Sequence, residues 1–126
     1  MRNFLTLFLA AGLAANGITM LAAPEYWYHL IPTVPFTGAF NPHFVRDIGC
    51  AYLTCGIAFL WFWRNPERER SAALLAGVFL GLHALLHVWD FIAARETLEH
   101  IVADIPAVFL LPVLALWLAW PRKANV

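Results

Sequence analysis

Charged side chains are scarce in this chain. Only 13% of its 126 residues are Asp, Glu, Lys or Arg, whereas 62% are hydrophobic. A soluble domain is nearer about one half apolar and about one quarter charged. The composition therefore excludes an ordinary soluble domain and indicates an integral membrane protein, and the length predicts one domain, residues 1–126.

The sequence also lacks the motifs of several common functional classes. It has no Walker motif, no dinucleotide fingerprint and no nucleophile elbow. Positive charge is confined to short segments that membrane orientation explains, so we expect no nucleic-acid partner. Cysteine is limited to Cys50 and Cys55. A disulfide between residues five apart in one helix has poor geometry, so we interpret both cysteines as packing residues.

Four apolar segments are each close to the ~20 residues that a membrane-spanning helix requires. Lipid cannot hydrogen-bond the backbone, so each segment must be helical. The first segment follows Arg2 as a signal peptide would, but no small-residue cleavage site follows it, and we expect it to be retained. The sequence predicts an all-α, up-down four-helix bundle with helices at about 3–23, 42–63, 66–95 and 97–120, and an outer loop at 24–41.

Local chemistry supports these boundaries. Asn-Pro pairs at 41–42 and 65–66 indicate helix starts, because Asn caps a helix well and Pro fits its first position. Thr97 indicates a third start. Pro106 and Pro112 lie within the fourth segment, where each removes a backbone hydrogen bond and is expected to bend the helix.

Charge is divided between the two ends of the predicted bundle. One end has six basic and two acidic residues, a balance of +4, and the other has two basic and six acidic residues, a balance of −4. The basic residues of the first end are Arg2, Arg64, Arg68, Arg70, Arg122 and Lys123. All five histidines belong to the acidic half. The positive-inside rule therefore predicts cytoplasmic termini, N-in and C-in, in a bacterial inner membrane.

The stretch "LHALLHVWDF", residues 82–91, contains two histidines and an aspartate within a very apolar predicted helix. His83, His87 and Asp90 fall on one helical face, and His83 lies about 10 Å deeper than Asp90 at 1.5 Å per residue. An ionisable group inside a membrane costs about 2.5–3.5 kcal/mol on insertion scales and usually faces a partner in the bundle interior. The stretch is therefore the first candidate for a functional site.

We predict a metal site in which His83 and His87 converge with His100 or Asp104 of the fourth segment. Imidazole and carboxylate ligands together favour zinc, iron or copper over magnesium or calcium. The residues predicted to surround these ligands are Asp90, Arg46, Asp47 and His43. The alternative is that the histidines only fix helix packing, and for Arg46 a salt bridge to Asp90 or Asp104 is the favoured interpretation.

The loop at 24–41 is predicted to lie at the same end. Its first part, "PEYWYHLI", is aromatic and helical in pattern, whereas "PTVPFTG" cannot stay helical. The loop either folds over the mouth of the bundle as a lid or anchors it at the membrane interface. The interfacial anchor is the preferred interpretation.

A family resemblance appears in "RDIGCAYLTCGIAFLW", where Asp47 is followed by Gly49 and, seven residues later, by Gly56. With the basic turn and the histidine-bearing helix that follow, residues 44–92 resemble the DoxX-like group of small four-helix bacterial membrane proteins. The resemblance implies a four-helix bundle and an accessory role in oxidoreduction, since some members are tied to quinone-linked sulfur oxidation. The second histidine and "HVWD" depart from that pattern, so no catalytic residue is carried over.

Two functional classes follow from the sequence. The first is a membrane protein that binds a metal ion or small ligand in the outer half of the bundle, with or without catalysis. The second is a non-catalytic accessory subunit whose polar cluster locks the helices together. A transporter ranks third, because four helices without a visible repeat leave little room for alternating access. Besides the lipid bilayer, a small ligand, a membrane-protein partner and a second copy of the chain stay open as partners.

Overall fold

The computed structural model describes residues 1–121 as three long helices and a fourth in pieces. The helices are α1 (Arg2–Ala22), α2 (Pro24–Leu30), α3 (Pro42–Arg64), α4 (Arg70–Ile92), α5 (Leu98–Asp104) and α6 (Leu110–Ala119). A short 3-10 helix, Val34–Phe36, follows α2, and a π-helix, Ile105–Phe109, joins α5 to α6. Arg122 and Lys123, used in the orientation prediction, lie outside the described residues.

Of the two Asn-Pro pairs, one caps a helix and the other closes a turn. The Asn41 side chain accepts hydrogen bonds from the two backbone N–H groups that follow the proline, and α3 begins as the cap predicts. The side chain of Asn65 instead accepts from the N–H of Arg68 and closes a single turn. The predicted helix start at residue 66 is therefore wrong, and α4 begins at Arg70.

The other end of α4 also differs from the prediction, which extended this helix to residue 95. Ala94 has a positive φ of 56° and ends the helix at Ile92. Two hydrogen bonds close the turn, from the N–H of Ala94 to the carbonyl of Phe91 (3.0 Å) and from the N–H of Arg95 to the carbonyl of Asp90 (2.8 Å). This pattern is a Schellman motif with alanine in the position that glycine usually occupies.

The fourth span is broken where its prolines predict disturbance. The Thr97 hydroxyl accepts from the N–H of His100 and caps α5, as predicted. Pro106 lies in the π-helix and Pro112 lies within α6. Because Pro106 has no N–H, one α-helical hydrogen bond is missing at this point, and a wider turn forms the 105–109 segment. The predicted single helix at 97–120 is thus three consecutive helical pieces.

The spans pack as a ring in which α1 lies against α3, α3 against α4, α4 against α6, and α6 against α1. Neighbours run antiparallel. In the α1–α3 contact, Gly17 lies opposite Gly49, while Gly56 lies opposite Ala14. At the far end, the Arg2 guanidinium donates to the Trp117 carbonyl (2.9 Å) and ties the start of α1 to the end of α6. The predicted all-α helical bundle is therefore confirmed.

Apolar side chains occupy both the inside and the outside of the bundle. The largest fully buried ones are Phe59, Met20, Leu80 and Leu118. Other large apolar side chains face outward, among them Phe4, Leu75, Leu85, Ile92 and Val113. Four helical spans are long and apolar enough to cross a membrane. Helices that are apolar all round are typical of membrane-spanning bundles.

Both cysteines are free thiols. Cys55 is buried between α3 and α4, where its sulfur lies 4.0 Å from the Ala76 carbonyl, and Cys50 is exposed on the outside of α3. The interpretation of Cys55 as a packing residue is confirmed, whereas Cys50 packs on no core surface.

Candidate metal site

Three acidic or imidazole side chains converge where α4 and α5 meet. The Nδ1 atom of His87 lies 2.9 Å from Oδ2 of Asp104 and 3.5 Å from Oε1 of Glu96. One ligand atom from each residue lies within 4.8 Å of the other two. The side chains are 15%, 6% and 7% exposed for His87, Asp104 and Glu96. This convergence of buried ionisable groups defines the candidate site.

The turn after α4 brings Glu96 to the site. A helix that continued to residue 95 would carry Glu96 onward along its axis, away from His87. The left-handed residue Ala94 reverses the chain instead, so that Glu96 returns toward the helix it has just left. Asp104 is the last residue of α5, directly before the π-helix. π-helical turns occur frequently at functional sites.

The polar atoms of the cluster are not satisfied by the protein itself. Within the described part of the chain, His87 Nδ1, Glu96 Oε2 and Asp104 Oδ2 are buried and have no hydrogen-bond partner. The 2.9 Å approach of His87 Nδ1 to Asp104 Oδ2 is close enough for an ion pair, but it does not have the geometry of a hydrogen bond. Buried polar groups without partners are rare, and each costs about 1–3 kcal/mol or more if charged.

The distances suit a common cation. Zinc binds imidazole nitrogen and carboxylate oxygen at about 2.0–2.2 Å. At such bond lengths, two ligand atoms lie about 3.4 Å apart in a tetrahedral site and about 3.0 Å apart in an octahedral one. The two separations from His87 Nδ1, 2.9 Å to Asp104 and 3.5 Å to Glu96, fall close to these values, and the ligand atoms of all three residues lie within 4.8 Å of one another. The arrangement is therefore able to hold a metal ion between the three side chains.

The outer loop contributes a side chain to the site. The Thr33 hydroxyl donates to Oδ1 of Asp104 at 2.9 Å, and Thr33 is buried although it lies outside any helix. Three residues further on, the ring of Phe36 lies 4.7 Å from that of His100. The loop thus contacts this end of the bundle, and both the preferred interfacial anchor and the lid stay predictions.

Two of the four predicted ligands, His87 and Asp104, are brought together. The His83 ring lies one turn deeper, edge-on to His87 with 4.9 Å between centroids, and it contacts the ring of Tyr52. The His100 ring packs on the loop instead. Neither belongs to the group of ligand atoms found among the described residues. The structure therefore places His83 and His100 beside the cluster rather than in it.

The residues predicted to surround the ligands lie further away or face elsewhere. Asp90 pairs with Arg95 at 3.1 Å. His43 and Asp47 form an exposed pair at 3.4 Å, one turn apart on α3. Their exposure shows that matching depth along the bundle does not place two side chains on the same face.

The favoured interpretation of Arg46 was wrong. Its Nε atom donates to the backbone carbonyl of Leu21 at 3.3 Å, and among the described residues it forms no salt bridge with Asp90 or Asp104. Arg46 is exposed at the end of the bundle, where the last carbonyls of α1 lack helical partners. The positive charge of the Arg46 side chain is attracted to these carbonyls of α1, so it does not extend to Asp90 or Asp104.

Sequence reasoning missed two residues of the candidate site, Glu96 and Thr33. In the sequence analysis, Glu96 entered only the charge balance of the outer end. Thr33 lay in the 24–41 loop, which has no helical periodicity to indicate where its side chain points. The nearest usable signal for Glu96 was the short link between the third and fourth spans, which has to turn the chain back on itself. Thr33 has no sequence signal, because its partner lies 71 residues away.

Comparison of the chain with protein-family models, curated proteins and solved structures finds no match. The resemblance to the DoxX-like group therefore stays a prediction. Function has to be inferred from the chemistry of the site itself.

Proposed function

We propose that this chain is an integral membrane protein that binds a divalent transition metal, zinc or iron, through His87, Glu96 and Asp104. The observation that carries the proposal is the convergence of buried ligand atoms without hydrogen-bond partners. A cation between the three side chains would satisfy His87 Nδ1 and Asp104 Oδ2 and bind one oxygen of Glu96. One imidazole and two carboxylates suit zinc and iron, whereas copper favours sites richer in nitrogen or sulfur.

Charge supports the same proposal. The two carboxylates repel each other at this short separation unless a cation lies between them. The half of the chain that carries the site has a balance of −4, which attracts cations toward it. Three protein ligands leave at least one coordination position for water or a small ligand. A bound metal could therefore bind a small ligand in addition to joining the helices. Iron would fit the redox role that the resemblance implies.

The membrane orientation is part of this proposal and predicts a specific topology. The four apolar spans and the arginine-rich ends favour cytoplasmic termini and an extracytoplasmic metal site. Reporter fusions after Arg70 and at Val126 should both give a cytoplasmic signal, and a fusion at Gly38 should give an extracytoplasmic one. A cytoplasmic signal at Gly38 would overturn this orientation.

The second candidate function is a structural lock in an accessory subunit. A protonated His87 between Glu96 and Asp104 would join α4, its following turn and α5 without any metal. The contact between Thr33 and Asp104 favours this candidate too, since it ties the loop to the same point. The two candidates differ in one measurable property, which is whether the cluster needs a cation.

Metal titration of the detergent-purified protein tests the proposal. We expect one equivalent of Zn²⁺ or Co²⁺ to bind per chain, with affinity lowered more than about tenfold (1.4 kcal/mol) in His87→Ala, because this change removes the only nitrogen ligand. His43→Ala is the matched control, since His43 also pairs with a carboxylate but is exposed. A wild-type protein that binds no metal, or equal binding by His87→Ala, would favour the structural lock.

A further inference from the structure

We propose that Thr33 is a positioning residue that selects which oxygen of Asp104 binds the metal. This inference rests on the proposed metal function. The Thr33 hydroxyl donates to Oδ1, while Oδ2 lies 2.9 Å from His87 Nδ1 and has no hydrogen-bond partner in the described part of the chain. The two oxygens of the buried Asp104 carboxylate thus have different surroundings. Oδ1 accepts a hydrogen bond from the loop, and Oδ2 faces His87.

The choice of oxygen controls the coordination number. A free carboxylate binds a cation through one oxygen or through both. The hydrogen bond from Thr33 occupies one of the two lone pairs on Oδ1 and lowers the electron density of that oxygen, so Oδ2 is the stronger donor and the two-oxygen mode is disfavoured. One-oxygen binding suits a four-coordinate transition metal, whereas calcium takes 6–8 oxygen ligands, often from bidentate carboxylates. Thr33 therefore favours a small transition metal over calcium at this site.

Contacts other than the Thr33 hydroxyl hold the loop in place. The Trp27 indole N–H donates to the side-chain oxygen of Asn16 at 2.8 Å and fixes α2 on α1. The Tyr28 hydroxyl donates to the carbonyl of Gly38 at 2.7 Å and closes the loop on itself. Removal of the Thr33 hydroxyl should leave these anchors intact. The effect of the hydroxyl on the metal can therefore be separated from the folding of the loop.

A purely structural role for Thr33 makes a different prediction. If the hydroxyl only fastens the loop, its loss lowers stability but leaves the affinity and the coordination geometry of the folded protein unchanged. If it positions Asp104, its loss changes both. Residues that hydrogen-bond to metal ligands typically change metal affinity by about 10–100-fold when they are mutated.

Cobalt binding to the full-length purified protein separates the two roles. We expect Thr33→Val to lower Co²⁺ affinity by about 10–100-fold and to weaken the visible absorption of the complex, because a second Asp104 oxygen raises the coordination number. Thr33→Ser should restore both properties. Thr37→Val is the matched control, since the Thr37 hydroxyl bonds within the same loop, to the carbonyl of Val34, and wild-type binding is expected.

Each outcome has a distinct meaning. A wild-type protein without Co²⁺ binding would overturn the proposed function together with this inference. Binding by wild type, with the same affinity and spectrum in Thr33→Val, would overturn only the inference. If Thr33→Val does not fold, Thr33→Ala removes the same hydroxyl with less bulk, and wild-type affinity in that variant would equally exclude a positioning role.

Discussion

Gly17→Ala is expected to destabilise the bundle by about 2–3 kcal/mol, near the upper part of the range for overpacking a tight contact. A Cβ atom on Gly17 would lie 2.6 Å from the backbone nitrogen of Leu53 and 2.7 Å from the carbonyl oxygen of Gly49. Both neighbours are backbone atoms of α3, so no side-chain rotation can relieve the clash. The whole of α3 would have to move away from α1.

This effect is large because close approach holds the bundle together. In a bundle that spans a membrane, as proposed for this chain, apolar surfaces gain little from leaving lipid, so packing and short-range contacts dominate helix association. Separating α1 from α3 loosens contacts along both helices, including the approach of Gly56 to Ala14. Small residues at such positions allow two backbones to meet, and a single methyl group removes that advantage.

Gly12→Ala provides the matched control. Gly12 lies in the same helix, but a Cβ atom there meets nothing within 4 Å. Alanine should therefore leave stability unchanged or raise it by up to about 1 kcal/mol through its helix propensity. Thermal unfolding of the purified proteins in one detergent, followed by circular dichroism, compares the variants. Equal melting temperatures for Gly17→Ala and wild type would contradict the packing described for α1 and α3.

The close contacts show what a sequence pattern can and cannot locate. The spacing of Gly77 and Gly81 matches a small-residue contact motif, and Gly77 does face Leu116 of α6. A Cβ atom added at Gly81, however, would meet nothing within 4 Å, while one added at Gly17 would lie 2.6 Å from the backbone of α3. A four-residue spacing identifies one face of a helix. It does not identify which helix lies against that face.

The apolar spans were predictable because each follows from length and hydrophobicity alone, which are local properties. The end of α4 was not predictable in the same way. A Schellman turn is usually signalled by glycine, and here Ala94 adopts the left-handed conformation. The sequence therefore predicts a helix that continues to residue 95. The same alanine explains why Glu96 was missed, since a continuing helix directs that side chain away from His87.

The site was predictable only in part, for a related reason. His87 and Asp104 could be paired from their depth in adjacent antiparallel spans. His83 fell on the same predicted face, yet it lies one turn deeper against Tyr52. Helical periodicity fixes the direction of a side chain to within a broad sector, but a metal site requires ligand atoms within a few ångströms. That precision comes from turns and caps rather than from periodicity.

Asp104→Asn is expected to lower metal affinity by about a hundredfold or more (2.7 kcal/mol) while the metal-free protein keeps or gains stability. The asparagine oxygen can still accept the hydrogen bond from Thr33. The amide nitrogen would then stand in place of Oδ2, which lies 2.9 Å from His87 Nδ1, and can donate to that atom. The substitution removes a buried negative charge beside Glu96 at the same time.

The opposite signs of these effects separate the two candidate functions. In a metal site, the acid is retained for binding even though its buried charge lowers the stability of the empty protein. In a structural lock, the Asp104 charge holds a protonated His87, and removing one partner of a buried ion pair typically costs about 3–5 kcal/mol. Asp104→Asn should thus stabilise the metal-free protein by about 1 kcal/mol in the first case and destabilise it strongly in the second.

Thermal unfolding with EDTA and with excess Zn²⁺ measures both effects on the same samples. At a zinc concentration a hundred times the dissociation constant, wild type should gain about 2.7 kcal/mol, whereas Asp104→Asn at that concentration should gain less than about 0.5 kcal/mol. Asp47→Asn is the matched control, because Asp47 also lies beside a histidine but is exposed; it should follow wild type in both conditions. A large loss of stability of Asp104→Asn in EDTA, with no effect of zinc on wild type, would assign the cluster to the lock.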